Sequence, residues 1–470
     1  MIETLTLEQA ASMCGAKLFS QETSKTIVSV TTDTRKFVAG SLFFALQGKN
    51  YDGHQFIFDA FQKGALAAVV DEEAYFAMKE KMHSRSLLVV PDVYKALGNL
   101  ARSYRNLFHI PVIAVTGSAG KTTTKECLRE LLGHWLCVRA GAGNLNNHIG
   151  LPLNLLQLTR EDQVGVFEIG ASSVGEIEYL CSILKPTVGV LTCIQPVHLE
   201  GFGSVENIYR AKLELAQYLG KANGTLFVYG DDARLVELAK KACPNTITFG
   251  KSKSCHFILS DEKQEKGQLA FQVNRHPFRL AGEGLLNIMN ALPALAVADH
   301  LGHPLGETAK AWQNFVKVPN RFQFEELKQP RVGIIRDCYN ANPVSFKLAL
   351  DSFCNIETSG KRIVVAGDML ELGDKSREYH FELGRQIGKL RIDLLVAIGK
   401  FAKDVAAGAR EFNYSMVTET FQNNQAAANF LTSILHEGDL VFVKGSRGMK
   451  LEEVVEELKL KQSAAVQACH

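Results

Sequence analysis

Residues 113–126, IAVTGSAGKTTTKE, decide how the rest of the chain reads. An apolar run, Val112 to Thr116, gives way to a glycine loop with Gly117 and Gly120, and Lys121 and Thr122 then open a stretch with helical character. Strand, loop and helix stand in the order a phosphate-binding loop requires. Glycines let main-chain N–H groups close around phosphate oxygens, the helix N-terminus adds partial positive charge, lysine reaches the outer phosphates and a threonine hydroxyl can ligate magnesium. The general pattern places a further glycine at position 115, where this chain has Val115. The competing reading is a glycine turn that happens to precede a lysine, and the strand–loop–helix order weighs against it.

Outward from this loop the chain alternates strand and helix signals, the mark of parallel α/β construction. At 470 residues it is too long for a single core and points to about three domains. Residues 1–87 read as a small α/β unit, with strands near 27–30, 41–46, 66–70 and 87–90. Residues 88–318 carry the loop, with strands at 112–116, 164–169 and 188–194 and an antiparallel extension expected over 225–280. From 319 to 470 strands near 332–336, 362–366, 394–398 and 440–443 read as a second doubly wound, Rossmann-like sheet. Hydrophobic residues make up 46% and charged residues 22%, which excludes disordered and collagenous classes. Charges nearly cancel, 52 basic against 50 acidic, so the balance asks for neither nucleic acid nor an anionic membrane. With no apolar run of spanning length and an acidic N-terminus, a cytoplasmic protein without membrane insertion is expected. The ten cysteines show no CxxC pair and read as reduced, mostly buried thiols.

Magnesium on a nucleotide prefers oxygen ligands, so carboxylates at neighbouring strand ends are the candidates. Glu168 closes the buried run VGVFEIG and fits; His198 follows the next strand, although a loop histidine alone is more often structural. Three further polar segments follow or flank strand ends: GNLNNHIGLPL from Gly143, DCYNANPVS from Asp337 and KGSRGMKLEE from Lys444. Asn and Asp clusters usually cap helices or make turns. Three of them at strand ends, where such folds bind ligands, shift the balance toward a site.

Taken together these segments resemble the Mur ligases, ATP-dependent amide ligases that extend the bacterial cell-wall precursor. The likeness runs through TTDTRKFVAGSLFFALQGKNYDGHQF, GSAGKTTTKE, GNLNNHIGLPL, HLEGFGS, AKLE, NRFQ, DCYNANPVS, GDMLELG with His380 downstream, and KGSR. It implies a small UDP-binding domain, a central ATPase-like domain and a C-terminal ligase domain. It further implies that Gly117, Ser118, Ala119, Gly120, Lys121, Thr122 and Thr123 hold ATP. Thr122 and Glu168 would surround one of two magnesium ions, and His198 would ligate the second. Lys212 in AKLE matches a lysine that the family carbamylates with carbon dioxide, although by residue type alone it reads as an ordinary helix surface charge. Lys121, Lys212 and His198 are thus the catalytic candidates. Asn287, Asn290, Arg321 and Asp337 match residues near the nucleotide. Thr34, Arg35, Asp52 and His54 match the uridine-nucleotide side, and by the same likeness Asn144, Asn147 and Ser172 would face the muramoyl peptide and Asn342, Lys444 and Ser446 would lie near an incoming dipeptide.

DCYNANPVS and HLEGFGS look like the member that adds D-alanyl-D-alanine to UDP-N-acetylmuramoyl-tripeptide, in a monomeric enzyme, and the DNPR segment of the tripeptide-forming relative is absent from the sequence. A Mur-type ligase adding a single amino acid, or a nucleotide-gated switch ATPase, are the alternatives. Two positions depart from the family pattern: Cys193 stands where asparagine is usual, and Gly284 where histidine is usual.

Overall fold

A computed structural model describes residues 5–48, 51–197, 199–265 and 267–468, the side chains of 199 and 462–468 excepted. Three large sheets divide the chain, beside a small antiparallel pair of Leu5–Thr6 with Thr26–Ile27. The first has five strands in the order Lys17–Phe19, Leu87–Val90, Ala67–Asp71, Leu42–Phe44, Val30–Thr31, all parallel except the first pair. Because Leu87–Val90 is an interior strand of this sheet, the first unit runs past position 87 to Val90, just before Pro91.

The second sheet has nine strands, and its centre positions the glycine loop. Val112–Thr116, fully buried, lies between Val188–Leu191 and Val164–Glu168, with Val115 level with both Val190 and Glu168. The chain leaves this central strand toward one edge and returns to continue toward the other, so the loop sits at a topological switch point, where open α/β sheets bind ligands. The expected antiparallel extension over 225–280 is only partly found. Thr225–Tyr229, Thr246–Gly250 and Phe257–Glu265 run parallel, with a helix at Ala233–Ala242 between the first two. Only Gln268–Val273 and His276–Ala281 add antiparallel strands. That helix buries just Leu235 and Ala239 beneath a charged face, too thin an apolar stripe to stand out in the sequence.

The third sheet orders its strands Gln323–Lys328, Arg331–Asp337, Leu440–Lys444, Arg362–Gly367, Leu394–Ile398, Val417–Phe421, parallel after the first antiparallel pair. The late strand Leu440–Lys444 inserts beside Arg331–Asp337, in a register that sets Lys444 directly next to Asp337. The helix Val93–Arg105 joins the first two units: Val93, Leu97, Leu100 and Tyr104 bury into one continuous core with Leu42, Phe44 and Val69 on one side and Val112, Leu151 and Leu180 on the other. The third sheet has its own cores on its two faces. No described helix is long and apolar enough to cross a membrane.

Candidate active site

The loop after Val112–Thr116 is shaped by two glycines with positive φ, Gly117 at 142° and Gly120 at 80°. A Cβ at Gly117 would collide with Thr192 Oγ1, and one at Gly120 with Asn290 Oδ1, so both positions exclude larger residues by close approach as well as by backbone conformation. Neighbouring strand ends brace the loop. Ser118 N donates to Cys193 O at 2.8 Å, Ser118 Oγ donates to Gln195 O at 3.0 Å, and Thr192 Oγ1 donates to Ala119 O at 2.5 Å. Lys121 Nζ curls back to Gly117 O at 2.9 Å. Burial first, and the nearby guanidinium of Arg321, lower the Lys121 ammonium pKa against the opposing pull of Glu168.

Thr122 Oγ1 donates to Glu168 Oε2 at 2.7 Å, while Asn146 Nδ2 donates to Glu168 Oε1 at 2.8 Å, so both oxygens of this buried carboxylate point into the loop's neighbourhood. Arg321, from the junction with the third sheet, donates through Nη2 to the same Thr122 hydroxyl at 3.0 Å and stacks its guanidinium 3.9 Å from the Tyr339 ring centroid.

Lys212 is not a surface charge: it lies on the helix Val205–Lys221 with only 2% exposure, its Nζ 5.8 Å from the Phe202 ring centroid. Burial, then the positive charge of Lys121, push its pKa down to about 7, opposed by Glu176, Glu168 and Glu214. Ser172 N donates to Glu176 Oε2 at 2.8 Å, which fixes that carboxylate on the Lys212 side of the site. His198 lies outside the described residues.

Lys121, Asn146, Glu168, Glu176, Lys212 and Arg321 line one cavity of about 910 Å³ together with third-sheet residues Asp337, Tyr339, Asn342 and Lys444. Lys444, 2% exposed, donates to Asp337 Oδ2 at 2.6 Å and to Asn340 O at 3.0 Å. Asn342 Oδ1 accepts from Ser345 N at 2.8 Å and caps the helix Pro343–Cys354 while still facing the cavity. Asn147 Oδ1, in the turn ahead of the helix Gly150–Leu155, accepts from Gly150 N at 2.9 Å. Asn287 is nearly buried and donates to Glu283 O at 2.8 Å; Asn290 meets Gly120.

Six described candidates are not among the cavity-lining residues: Thr122, whose hydroxyl is taken up by Glu168 and Arg321, together with Ser446 and four residues of the first unit. Ser446 accepts from Leu370 N at 2.9 Å behind the third-sheet wall. The other four sit in the first unit, where their contacts are local. Arg35 pairs with Asp33 at 2.8 Å, and that hydrogen bond holds the Asp33 carboxyl down to about 2. Thr34 is buried, its carbonyl accepting from Lys63 Nζ at 2.8 Å. Asp52 accepts from His54 N at 2.9 Å, and His54 Nδ1 lies 2.7 Å from the same carboxylate.

Both departures from the family pattern have a local account. Cys193 braces the loop through its carbonyl, and its thiol lies 3.8 Å from Ala119 O. At Gly284, φ is 87° and the Phe322 ring occupies the space a Cβ would take, so histidine has no room there. Residue-by-residue reading passed over Asn146, Thr192, Glu176 and Tyr339. Asn146 and Tyr339 lay within quoted polar segments; Thr192 and Glu176 carried no signal of their own.

Comparisons with known proteins match the chain along nearly its whole length. A profile described as Mur ligase family, catalytic domain matches residues 26–105, one described as Mur ligase middle domain matches 115–298, and one described as Mur ligase, glutamate ligase domain matches 320–447. The UDP-N-acetylmuramoyl-tripeptide--D-alanyl-D-alanine ligase of Bacillus subtilis is 34% identical over 457 residues, covering 96% of this chain and 98% of that protein. Its Escherichia coli counterpart is 31% identical and covers 97% and 98%. Among solved structures, MurF from Acinetobacter baumannii superposes with a TM-score of 0.85 at 30% identity over 97% of this chain and 99% of the other. The MurF ligase from Thermotoga maritima, in complex with ADP, gives 0.79 at 30% identity over 93% and 98%. With matches running in one order along nearly the full length of both chains, this chain belongs to the Mur ligase family.

Proposed function

We infer that this enzyme uses ATP to join D-alanyl-D-alanine to UDP-N-acetylmuramoyl-tripeptide, a step of peptidoglycan precursor synthesis. The observation that carries the reading is the full-length likeness to ligases of that name, coupled to a cavity in which the phosphate-binding loop and the third-sheet pair Asp337–Lys444 face one another. In the proposed reaction a terminal carboxylate oxygen of the tripeptide attacks the γ-phosphorus of ATP, giving an acyl phosphate and ADP. The dipeptide amine then attacks the acyl carbon, the amine proton is lost, and the C–O bond to phosphate breaks to leave the amide.

The chain's own residues have definite parts in this scheme. The loop N–H groups and Lys121 grip the phosphates, offsetting the charge crowding between phosphate and carboxylate. Arg321 and Asp337 bring the third domain to the nucleotide, and Asn144, Asn147 and Ser172 face the peptide. Asn287 and Asn290 flank the base, Lys444 and Asn342 the dipeptide, and Ser446 backs that wall. Thr34, Arg35, Asp52 and His54 take the uridine nucleotide. Closure of the third domain over the second would keep water from the acyl phosphate.

The donor set suits magnesium: the Thr122 hydroxyl and the Glu168 carboxylate are hard oxygen ligands held 2.7 Å apart. When bound, the metal offsets developing negative charge. Lys212 would complete the site as a carbamate: its free amine forms an N–C bond to carbon dioxide and releases a proton, which turns a cation into an anionic oxygen ligand. By the family likeness His198 would serve a second magnesium ion. The reading carries with it a monomeric, cytoplasmic enzyme whose domains, bounded near 90 and 318, each bring one substrate. A phosphate-release assay tests it: turnover should require both UDP-tripeptide and D-alanyl-D-alanine, and ATP hydrolysis indifferent to both would reject it.

A further inference from the structure

One buried charge has no part in the reaction as described. Lys125 is fully buried, one turn beyond Lys121 on the helix Lys121–Leu132. Its ammonium donates to Gly141 O at 2.5 Å and Gly143 O at 3.3 Å, and pairs with the Glu126 carboxylate at 2.9 Å. An ammonium has three donors, and here each has an acceptor. That is the condition under which a buried cation is tolerated.

Two of those acceptors belong to the loop that follows the edge strand Val138–Ala140. A second nearly buried polar side chain, Asn154, holds the same loop from the other side, accepting from Ala142 N at 3.0 Å and donating to Leu145 O at 2.9 Å. The loop carries Asn144, Asn146 and Asn147 onto the cavity wall, with Asn146 bonded to Glu168 at 2.8 Å. Lys125 itself is not among the cavity-lining residues. Lys121 and the glycine loop keep their own braces from Gly117, Thr192 and Gln195, none of which runs through Lys125.

We propose that Lys125 is a positioning residue for the UDP-peptide: it fastens the asparagine loop to the helix that bears Lys121, so that one rigid element sets both the peptide-facing amides and the phosphate-facing ammonium. This rests on the ligase reading above. The test is steady-state kinetics with ATP, UDP-tripeptide and D-alanyl-D-alanine varied in turn, on the full-length enzyme. Lys125→Met should raise KM for UDP-tripeptide about tenfold or more, as loss of an orienting partner does, with KM for ATP and dipeptide changing less than about twofold. Lys125→Arg, which keeps the charge and the donors, should recover part of the loss. Should the methionine variant fail to fold, Lys125→Gln, with a polar end that can still meet one carbonyl, should show the same selective rise. A rise in all three KM values together, or in none, overturns the proposal. A wild-type enzyme that ignores UDP-tripeptide overturns the ligase reading instead, and this inference with it.

Discussion

Lys212 sits in surroundings that contradict its residue type. A lysine flanked by alanine and leucine on a helix is ordinarily a solvated charge; here only 2% of it is exposed and its pKa falls to about 7. Lys212→Arg keeps a cation that does not form the proposed carbamate, so kcat should fall about tenfold to a hundredfold in a phosphate-release assay. A carbon-13 bicarbonate label should give a carbamate resonance in the wild type that the variant lacks. Asp337 needs a different variant from the obvious one. Because it neutralises nearly buried Lys444 at 2.6 Å, Asp337→Ala would strand that cation, at a cost on the order of 3–5 kcal/mol in denaturant unfolding. Asp337→Asn keeps the shape and a hydrogen-bonding oxygen, and should raise the apparent KM for ATP with a smaller loss of stability. At this scale the sequence was legible where residue type and surroundings agree: Gly117 and Gly120 in a loop, Lys121 at the helix start behind it, Asn342 at a helix cap. Residue type alone marked neither Lys212, which only the family likeness singled out, nor Thr192, because their burial and contacts come from neighbours distant in the chain.

Among the elements, the helix Ser376–Gly388 carries a pH response. His380 is fully buried on it, accepting from Met369 N through Nε2 at 2.8 Å and lying 2.6 Å from Ser376 O through Nδ1. With Nε2 an acceptor, the ring is neutral and Nδ1 is the donor. Burial lowers its pKa below 6.5, with the Ser376 carbonyl and Asp368 pulling the other way. A histidine whose folded pKa is lowered contributes stability that is complete above the unfolded value, about 6.5, and declines as pH falls below it. Urea unfolding followed through the third domain should therefore weaken between pH 7 and 5, and His380→Gln should flatten that slope. The strands of this domain were readable as apolar runs because parallel strands covered on both faces are continuous hydrophobics. Gln323–Lys328 and Val417–Phe421 were not, since both are edge strands with exposed positions and the sequences QFEELK and VTETF. The register that seats Lys444 beside Asp337 was equally hidden, because it depends on a strand that arrives about a hundred residues later in the chain.

Across the whole molecule, two sheets share the 910 Å³ cavity and the first sheet contributes no residue to its wall. The number of sheets followed from length and from alternation of apolar runs; the meeting of Arg321 with Thr122 did not, since a contact spanning that much chain leaves no periodic trace. The helix Val93–Arg105 bears on how the protein comes apart. Its residues belong to one core shared by the first two sheets, whereas the third sheet has cores of its own. Melting should therefore be a matter of two partners, not three. Differential scanning calorimetry is expected to resolve a joint transition of the first and second units and a separate one for the third, and three independent transitions would contradict a shared core. A fragment ending at Val90 would be deprived of the surface against which its apolar face is finished, and should be recovered as an aggregate, not as a folded nucleotide-sugar binder.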